Sequence, residues 1–220
     1  MLPTILSSAR YHRCLIFGVF LALAVTSLAI PTTVGVARQG SSAGLADATV
    51  LIMRHAEKAD SGTGLAPAGE ARAQAYVSYF QHLTLNGVVF RPDTLIGTAD
   101  SKNSARERLT LEPLSHAIGI PLDLRFSNKD IPVLAHALTS ESHGKSVLIA
   151  WHHGTLPQMI EVLGGDPHTV LPDGYWPDDA FNYVVVLRYD HEGKLIPGSE
   201  QLIKEDFTNP PGQINGANSQ

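Results

Sequence analysis

Cysteine is almost absent from this chain of 220 residues, since Cys14 is the only one. A chain with one cysteine forms no internal disulfide. Cys14 also lies in an apolar segment near the N-terminus, so a mature form without that segment would have no cysteine nucleophile. No cysteine ends the apolar segment, which argues against a lipoprotein.

Acidic residues are absent from the N-terminal part of the chain, where none precedes Asp47. Arg10 and Arg13 come just before an apolar run over residues 14–30. This charge pattern is typical of a signal peptide or a short membrane anchor. Residues 1–30 therefore predict secretion, export to the periplasm or membrane anchoring outside the cytoplasm.

Small residues suggest two cleavage positions for this leader, after Ala29 or after Ala37. Residues 31–47 are rich in Thr, Gly, Ser and Ala, which favours a flexible linker. Residues 207–220 have the composition of a disordered tail. The globular domain is thus predicted over residues 48–206.

Positive charge is scarce, with 16 Lys and Arg against 21 Asp and Glu. Removing the leader takes away Arg10 and Arg13, which leaves 14 minus 21, or −7. Such an acidic body repels nucleic acid. A phosphorylated ligand would have to be held by a local basic cluster.

Short apolar runs alternate with helical patterns throughout the predicted domain. This order predicts an α/β three-layer sandwich, in which a largely parallel sheet carries helices on both faces. Strands are expected over residues 49–53, 94–98, 146–151 and 181–189, and helices over 67–83, 103–118, 129–140 and 155–163.

Two of the predicted helices carry specific signals. Pro67 suits a first helical turn, and an aromatic stripe in the same helix predicts a core face: Tyr76, Tyr79, Phe80 and Leu83. Pro113 is expected to kink or split the second helix near residue 112.

Histidines follow two of the predicted strands. Arg54 and His55 follow the first strand, and His152 and His153 follow the strand over 146–151. The carboxyl ends of parallel strands share one edge of a sheet, where α/β proteins bind ligands. The pairs should therefore lie close together.

The chain resembles the histidine phosphatase superfamily, the phosphoglycerate mutase-like proteins, over about residues 49–190. Four segments in the family's order carry the resemblance: Arg54-His55-Ala56, residues 65–69, residues 106–110 and His153-Gly154. Ala56 stands where the family has glycine, and Ala66 where it has a helix-capping threonine.

This resemblance implies a phosphatase that needs no cofactor and no metal. His55 would attack phosphorus and form a phosphohistidine that water then hydrolyses. Arg54, Arg106 and His153 would bind the phosphate oxygens. The substrate would be a small phosphorylated molecule, contacted also by Glu57 and Lys58, and Lys102 is a further candidate at the rim.

The proton donor to the leaving group is less clearly marked. Asp130 is the first candidate, followed by Glu57 and Asp100. The alternative for Asp130 is a helix N-terminal charge that interacts with the helix dipole.

Two alternative functions remain open on sequence grounds. The domain could bind a phosphorylated ligand without catalysis, or it could catalyse other chemistry, such as mutase, pyrophosphatase or metal-assisted hydrolysis. A metal pair of His152 and His153 is disfavoured, because adjacent strand-end side chains tend to point to opposite faces.

The long connection over 164–179 could shape the substrate entrance or cover a core edge.

Overall fold

The computed structural model describes residues 44–207, in which strands and helices alternate. The strands are β1 (Thr49–Arg54), β2 (Thr84–Leu85), β3 (Val88–Val89), β4 (Thr94–Thr98), β5 (Leu122–Phe126), β6 (Ser146–Trp151), β7 (Tyr183–Arg188) and β8 (Gln201–Lys204). The helices are α1 (Pro67–His82), α2 (Arg106–Ile118), α3 (Ile131–Ser140), α4 (Leu156–Val162) and α5 (Pro167–Val170).

Six strands form one sheet in the order β5-β4-β6-β1-β7-β8. The first four are parallel, whereas β7 runs antiparallel to β1 and to β8. Arg54 at the end of β1 is in register with Trp151 at the end of β6. The residues that follow these two strands therefore meet at one edge of the sheet, as predicted.

Side chains of β1 alternate between two buried layers. Val50 and Ile52 pack in a core with α3 and α4. Leu51 and Met53 pack on the opposite face, in a core with α1 and α2. Burial on both faces explains why the parallel strands are continuously apolar. The predicted three-layer α/β architecture is confirmed.

Helix α1 begins at Pro67, which needs no hydrogen-bond partner at this position. Its N-cap residue, Ala66, makes no side-chain capping hydrogen bond. The aromatic stripe predicted for this helix lies in the core, where Tyr76 and Phe80 are fully buried. Packing therefore compensates for the missing cap.

Helix α2 is not split at Pro113, because it continues through residue 118. A kink near residue 112, the other outcome expected from the sequence, stays a prediction. Leu111 and Leu114, on either side of the proline, are fully buried. Their packing offsets the backbone hydrogen bond that a proline removes.

The domain extends beyond both predicted boundaries. Leu45 is buried in the core, and Gly44 donates a backbone hydrogen bond to Glu141, so residues 44–47 are not part of a linker. Phe207 contacts the rings of Tyr76 and Tyr79. The predicted leader, the linker up to residue 43 and the tail from residue 208 lie outside the described residues. Within residues 44–207, no helix has the length and apolar character needed to cross a membrane.

Candidate active site

His55 is held at the end of β1 by contacts with two other elements. Its backbone N–H donates to the carbonyl of Trp151 at 3.1 Å. The next residue, Ala56, donates its N–H to Thr110 Oγ1 in α2 at 2.8 Å. The residue is 2% exposed. These contacts fix the ring at the sheet edge.

The hydrogen bond of the His55 ring determines which nitrogen is free. Nδ1 lies 2.6 Å from the carbonyl oxygen of Ala56. Because a carbonyl oxygen only accepts, Nδ1 carries the proton in the neutral ring and Nε2 keeps its lone pair. Nε2 is therefore the nitrogen available for nucleophilic attack.

Burial lowers the pKa of His55 to about 4. The Ala56 hydrogen bond and the charge of Glu107 act in the opposite direction, whereas Arg106 and Arg54 lower this pKa further. The imidazole is thus neutral at neutral pH, which is the state a nucleophile requires.

Arg54 is the last residue of β1 and is 4% exposed. Its Nη1 donates to the backbone carbonyl of Asp178, and its guanidinium lies 3.8 Å from the centre of the Phe181 ring. Its Nε is buried and has no hydrogen-bond partner within residues 44–207. Burial, opposed by the charge of Asp178, lowers the pKa of Arg54.

Arg106 is the first residue of α2 and lines a cleft of about 270 Å³. Its Nη1 donates to the Asn103 carbonyl at 3.4 Å. Its buried Nε, like that of Arg54, has no partner in the described part of the chain. Two guanidinium groups near His55 thus have free donors, an arrangement suited to an anion.

The histidines after β6 have different surroundings. The ring of His152 lies 6.1 Å from that of His55, and His152 lines the same cleft as Arg106. His153 Nε2 lies 2.9 Å from Asp178 Oδ1. The site prediction named His153 and left His152 out, because the two adjacent histidines cannot be distinguished from the sequence.

His152 presents a defined donor to the cleft. Its Nδ1 accepts the backbone N–H of Gly154 at 3.2 Å, so in the neutral ring the proton lies on Nε2. Burial, opposed by the charge of Glu107, lowers its pKa, and Arg106, Arg54 and Lys58 lower it further.

The expectation that His152 and His153 point to opposite faces is wrong. Their rings stack with centroids 4.7 Å apart, because β6 ends at Trp151 and a 3₁₀ turn begins at His153. No group of three or more potential metal-binding side chains occurs within residues 44–207.

The three carboxylates predicted as proton donors all have other partners. Asp130 is the N-cap residue of α3 and accepts the Ser127 N–H at 2.8 Å. Hydrogen bonds from the side chain and the backbone N–H of Ser127 lower the pKa of Asp130. Asp100 lies in the cleft but pairs with Arg108 at 2.9 Å.

Glu57 is bound by two nitrogens of Arg72, and the shortest distance is 2.7 Å. Burial acts to raise the pKa of Glu57, but the Arg72 hydrogen bonds outweigh it and the net pKa is lowered. Lys58 and Lys102 are exposed, and Lys58 pairs through its backbone with Leu65.

Glu107 is a cleft residue that the sequence interpretation did not single out. It is 2% exposed and lies beside Arg106 in the cleft that contains His152. Its one sequence signal is its place directly after Arg106.

The connection over 164–179 covers a core edge, which is one of its two predicted roles, whereas a role of its aromatic residues in the substrate entrance stays a prediction. Trp176 is buried and donates its Nε1–H to the Ala180 carbonyl at 2.9 Å, which covers a core edge. The following segment reaches the site, where Asp178 contacts Arg54 and His153. Tyr175 remains 73% exposed.

No protein-family model matches the chain, and no curated protein sequence is significantly similar to it. Solved structures do match. A candidate phosphohistidine phosphatase SixA from Agrobacterium tumefaciens is 20% identical, with 72% of this chain and 97% of that chain covered and a TM-score of 0.47. The protein histidine phosphatase SixA complexed with tungstate is 16% identical, with 69% and 95% covered and a TM-score of 0.47. A phosphoglycerate mutase from Plasmodium falciparum is 12% identical, with 76% and 96% covered and a TM-score of 0.44.

Proposed function

We propose that this protein is a phosphomonoesterase of the histidine phosphatase type, which works without a metal through a phosphohistidine on His55. The observation that carries the proposal is the state of His55. Its ring is neutral, its Nδ1 is bound to Ala56, and its Nε2 is free beside two arginines.

The surrounding donors suit the charge of a phosphoryl group. Arg54 and Arg106 each have a buried Nε without a partner within residues 44–207. His152 offers an Nε2–H, and His153 is the second imidazole at this edge. Phosphoryl transfer spreads negative charge over three oxygens and needs donors around them. These side chains would orient a phosphate ester for in-line attack by His55 Nε2.

The test uses the full chain and para-nitrophenyl phosphate in the presence of a metal chelator. We expect turnover, and we expect His55→Ala to abolish it without unfolding the protein. Rapid acid-free quenching with labelled substrate should trap phosphate on the wild-type protein but not on the variant. Activity of His55→Ala within tenfold of the wild type would place the nucleophile elsewhere. Phosphate binding without any turnover would instead indicate a non-catalytic binding module.

We also propose that the protein acts outside the cytoplasm on a small phosphorylated substrate. The support for export is the leader pattern over residues 1–30. Cell fractionation followed by N-terminal sequencing should find an exported protein that begins at Ile30 or Arg38, or a membrane-bound protein that keeps its leader. Uncleaved protein in the cytoplasm would contradict this proposal.

A further inference from the structure

The departing alkoxide of a phosphate ester needs a proton, and one carboxyl group in the cleft has no cationic partner among residues 44–207. Glu57 pairs with Arg72 and Asp100 pairs with Arg108. Within residues 44–207, Glu107 forms no salt bridge, and its Oε2 accepts a hydrogen bond from Ser104 Oγ at 2.8 Å. Its carboxyl group is therefore not neutralised by an arginine.

Glu107 is also close to the proposed nucleophile. It lines the cleft together with Arg106 and His152. Burial lowers the pKa of His55 and of His152, and in both cases Glu107 is the acidic side chain that opposes the shift. The Glu107 side chain thus lines the cleft and lies within electrostatic range of both imidazoles.

A purely structural role at the start of α2 would explain only part of this arrangement. Ser104 Oγ accepts the Arg106 N–H at 3.2 Å and donates to Glu107, which resembles a helix-capping network. A glutamate can accept such a capping hydrogen bond at an exposed position, however. Burial of an unpaired carboxylate costs free energy, and a glutamate at 2% exposure in a cleft is the kind of group that a reaction uses.

We propose that Glu107 is the general acid and base of the reaction, an assignment that rests on the proposed function. In the first step, His55 Nε2 forms a bond to phosphorus while the bond from phosphorus to the ester oxygen breaks. The bonding pair stays on that oxygen, which takes the proton of the Glu107 carboxyl group, and the alcohol leaves.

In the second step, the Glu107 carboxylate takes a proton from water as the water oxygen bonds to phosphorus. The bond from phosphorus to Nε2 breaks, and its electron pair returns to the imidazole. Inorganic phosphate leaves, and Glu107 is again protonated. Protons and electrons balance over the cycle, and no other reactant is needed.

The experiment compares Glu107→Gln with the wild type on phenyl phosphate and para-nitrophenyl phosphate. Nitrophenolate departs without a proton, whereas phenolate is more basic and benefits from one. We expect the variant to lose about 10²-fold or more on phenyl phosphate, the usual size of acid catalysis, and less than about tenfold on the nitrophenyl ester during formation of the phosphoenzyme. Single-turnover kinetics isolate that step. The glutamine can still accept the Ser104 hydrogen bond, so the fold should persist.

Glu112→Gln is the matched control, because Glu112 lies on the same helix and pairs with the partly exposed Arg108. We expect both ester rates to remain at the wild-type level. Asp130→Asn tests the rival donor and should leave the ratio of the two rates unchanged. If Glu107→Gln does not fold, Glu107→Asp is the substitute variant. It keeps a carboxyl group but holds it one methylene farther from the leaving oxygen, so it should show the same selective loss on phenyl phosphate.

Equal slowing of both esters by Glu107→Gln, or wild-type rates, would overturn the assignment. A selective loss in Asp130→Asn would transfer the role to Asp130. Failure of the proposed function is distinguishable, because the wild-type protein would then turn over neither ester or would keep its activity in His55→Ala.

Discussion

Arg106 offers a bound phosphate both a positive charge and a planar set of hydrogen-bond donors. Its Nη1 donates to the Asn103 carbonyl, and its buried Nε is free within residues 44–207. A guanidinium can bind two phosphate oxygens with parallel N–H groups, and a lysine ammonium cannot reproduce this geometry. We predict that Arg106→Lys lowers kcat/KM for an aryl phosphate almost as much as Arg106→Ala, by about 10²-fold or more.

Arg108 is the control for this comparison. It lies two residues further along α2 and pairs with Asp100 and Glu112 at the surface. Arg108→Lys should change kcat/KM by less than about threefold, because exposed ion pairs contribute little. Nearly full activity in Arg106→Lys would mean that Arg106 acts only through its charge at a distance.

The two adjacent histidines allow a second comparison between single residues. His152 faces His55 across 6.1 Å, whereas His153 pairs with the exposed Asp178. We predict that His152→Ala costs at least about 10²-fold in kcat and that His153→Ala costs less. Steady-state kinetics of the two variants show which histidine contributes more to turnover. The reverse order would restore His153 as the principal phosphate ligand, as the sequence resemblance implies.

At the scale of elements, Thr110 connects helix α2 to the segment that carries His55. Its Oγ1 accepts the Ala56 N–H at 2.8 Å and donates to the Arg106 carbonyl at 2.7 Å, and the residue is fully buried. Thr110→Val keeps the shape but leaves the Ala56 N–H without a partner. We predict a loss of about 1 to 3 kcal/mol in the free energy of unfolding, together with reduced turnover.

Urea denaturation measures the stability change, and Thr139→Val serves as the control. Thr139 is an exposed helical threonine whose hydroxyl bonds only within α3 among the hydrogen bonds of residues 44–207. Its replacement should change stability by less than about 0.5 kcal/mol. Equal effects of both substitutions would show that the link from Thr110 to Ala56 has no special importance.

The elements also show what could be predicted from the sequence. Continuous apolar runs predicted β1, β4 and β6, because a strand buried on both faces has that composition. The β2–β3 hairpin was missed, although Asn86 and Gly87 between its strands both have positive φ and form a typical turn pair. Two-residue strands such as these are too short for a periodic pattern to reveal.

The site was predictable only where sequence neighbours share it. Arg54 and His55 are adjacent, and strand topology brings β6 beside them. The roles of Glu107 and Asp178 depend on how α2 and the connection over 164–179 fold over the sheet edge. No local pattern encodes those contacts. Asp130 looked free in the sequence, but its carboxylate accepts the backbone N–H of Ser127, three residues earlier in the chain.

At the scale of the whole molecule, a buried acid couples the stability of the domain to pH. Glu205 follows β8, and its side chain is fully buried. Its Oε2 accepts hydrogen bonds from Arg72 Nη1 at 3.3 Å and Tyr76 OH at 3.1 Å. Burial raises its pKa to about 8 against the opposing effect of these two partners. The folded domain therefore keeps a proton that the unfolded chain loses near its ordinary pKa of 4.5.

The sign of the effect follows from proton counting. Between about pH 4.5 and 8 the folded state binds more protons at Glu205 than the unfolded state, so its contribution to stability decreases as pH rises. The histidines of the site act in the opposite direction, because burial lowers their pKa. We predict that Glu205→Gln becomes more stable relative to the wild type as pH rises through this window. Urea unfolding at both ends of the window measures this difference, with the exposed Glu161→Gln as a control that shows none. A constant difference between Glu205→Gln and the wild type would mean that Glu205 is ionised throughout and that Arg72 fully compensates its charge.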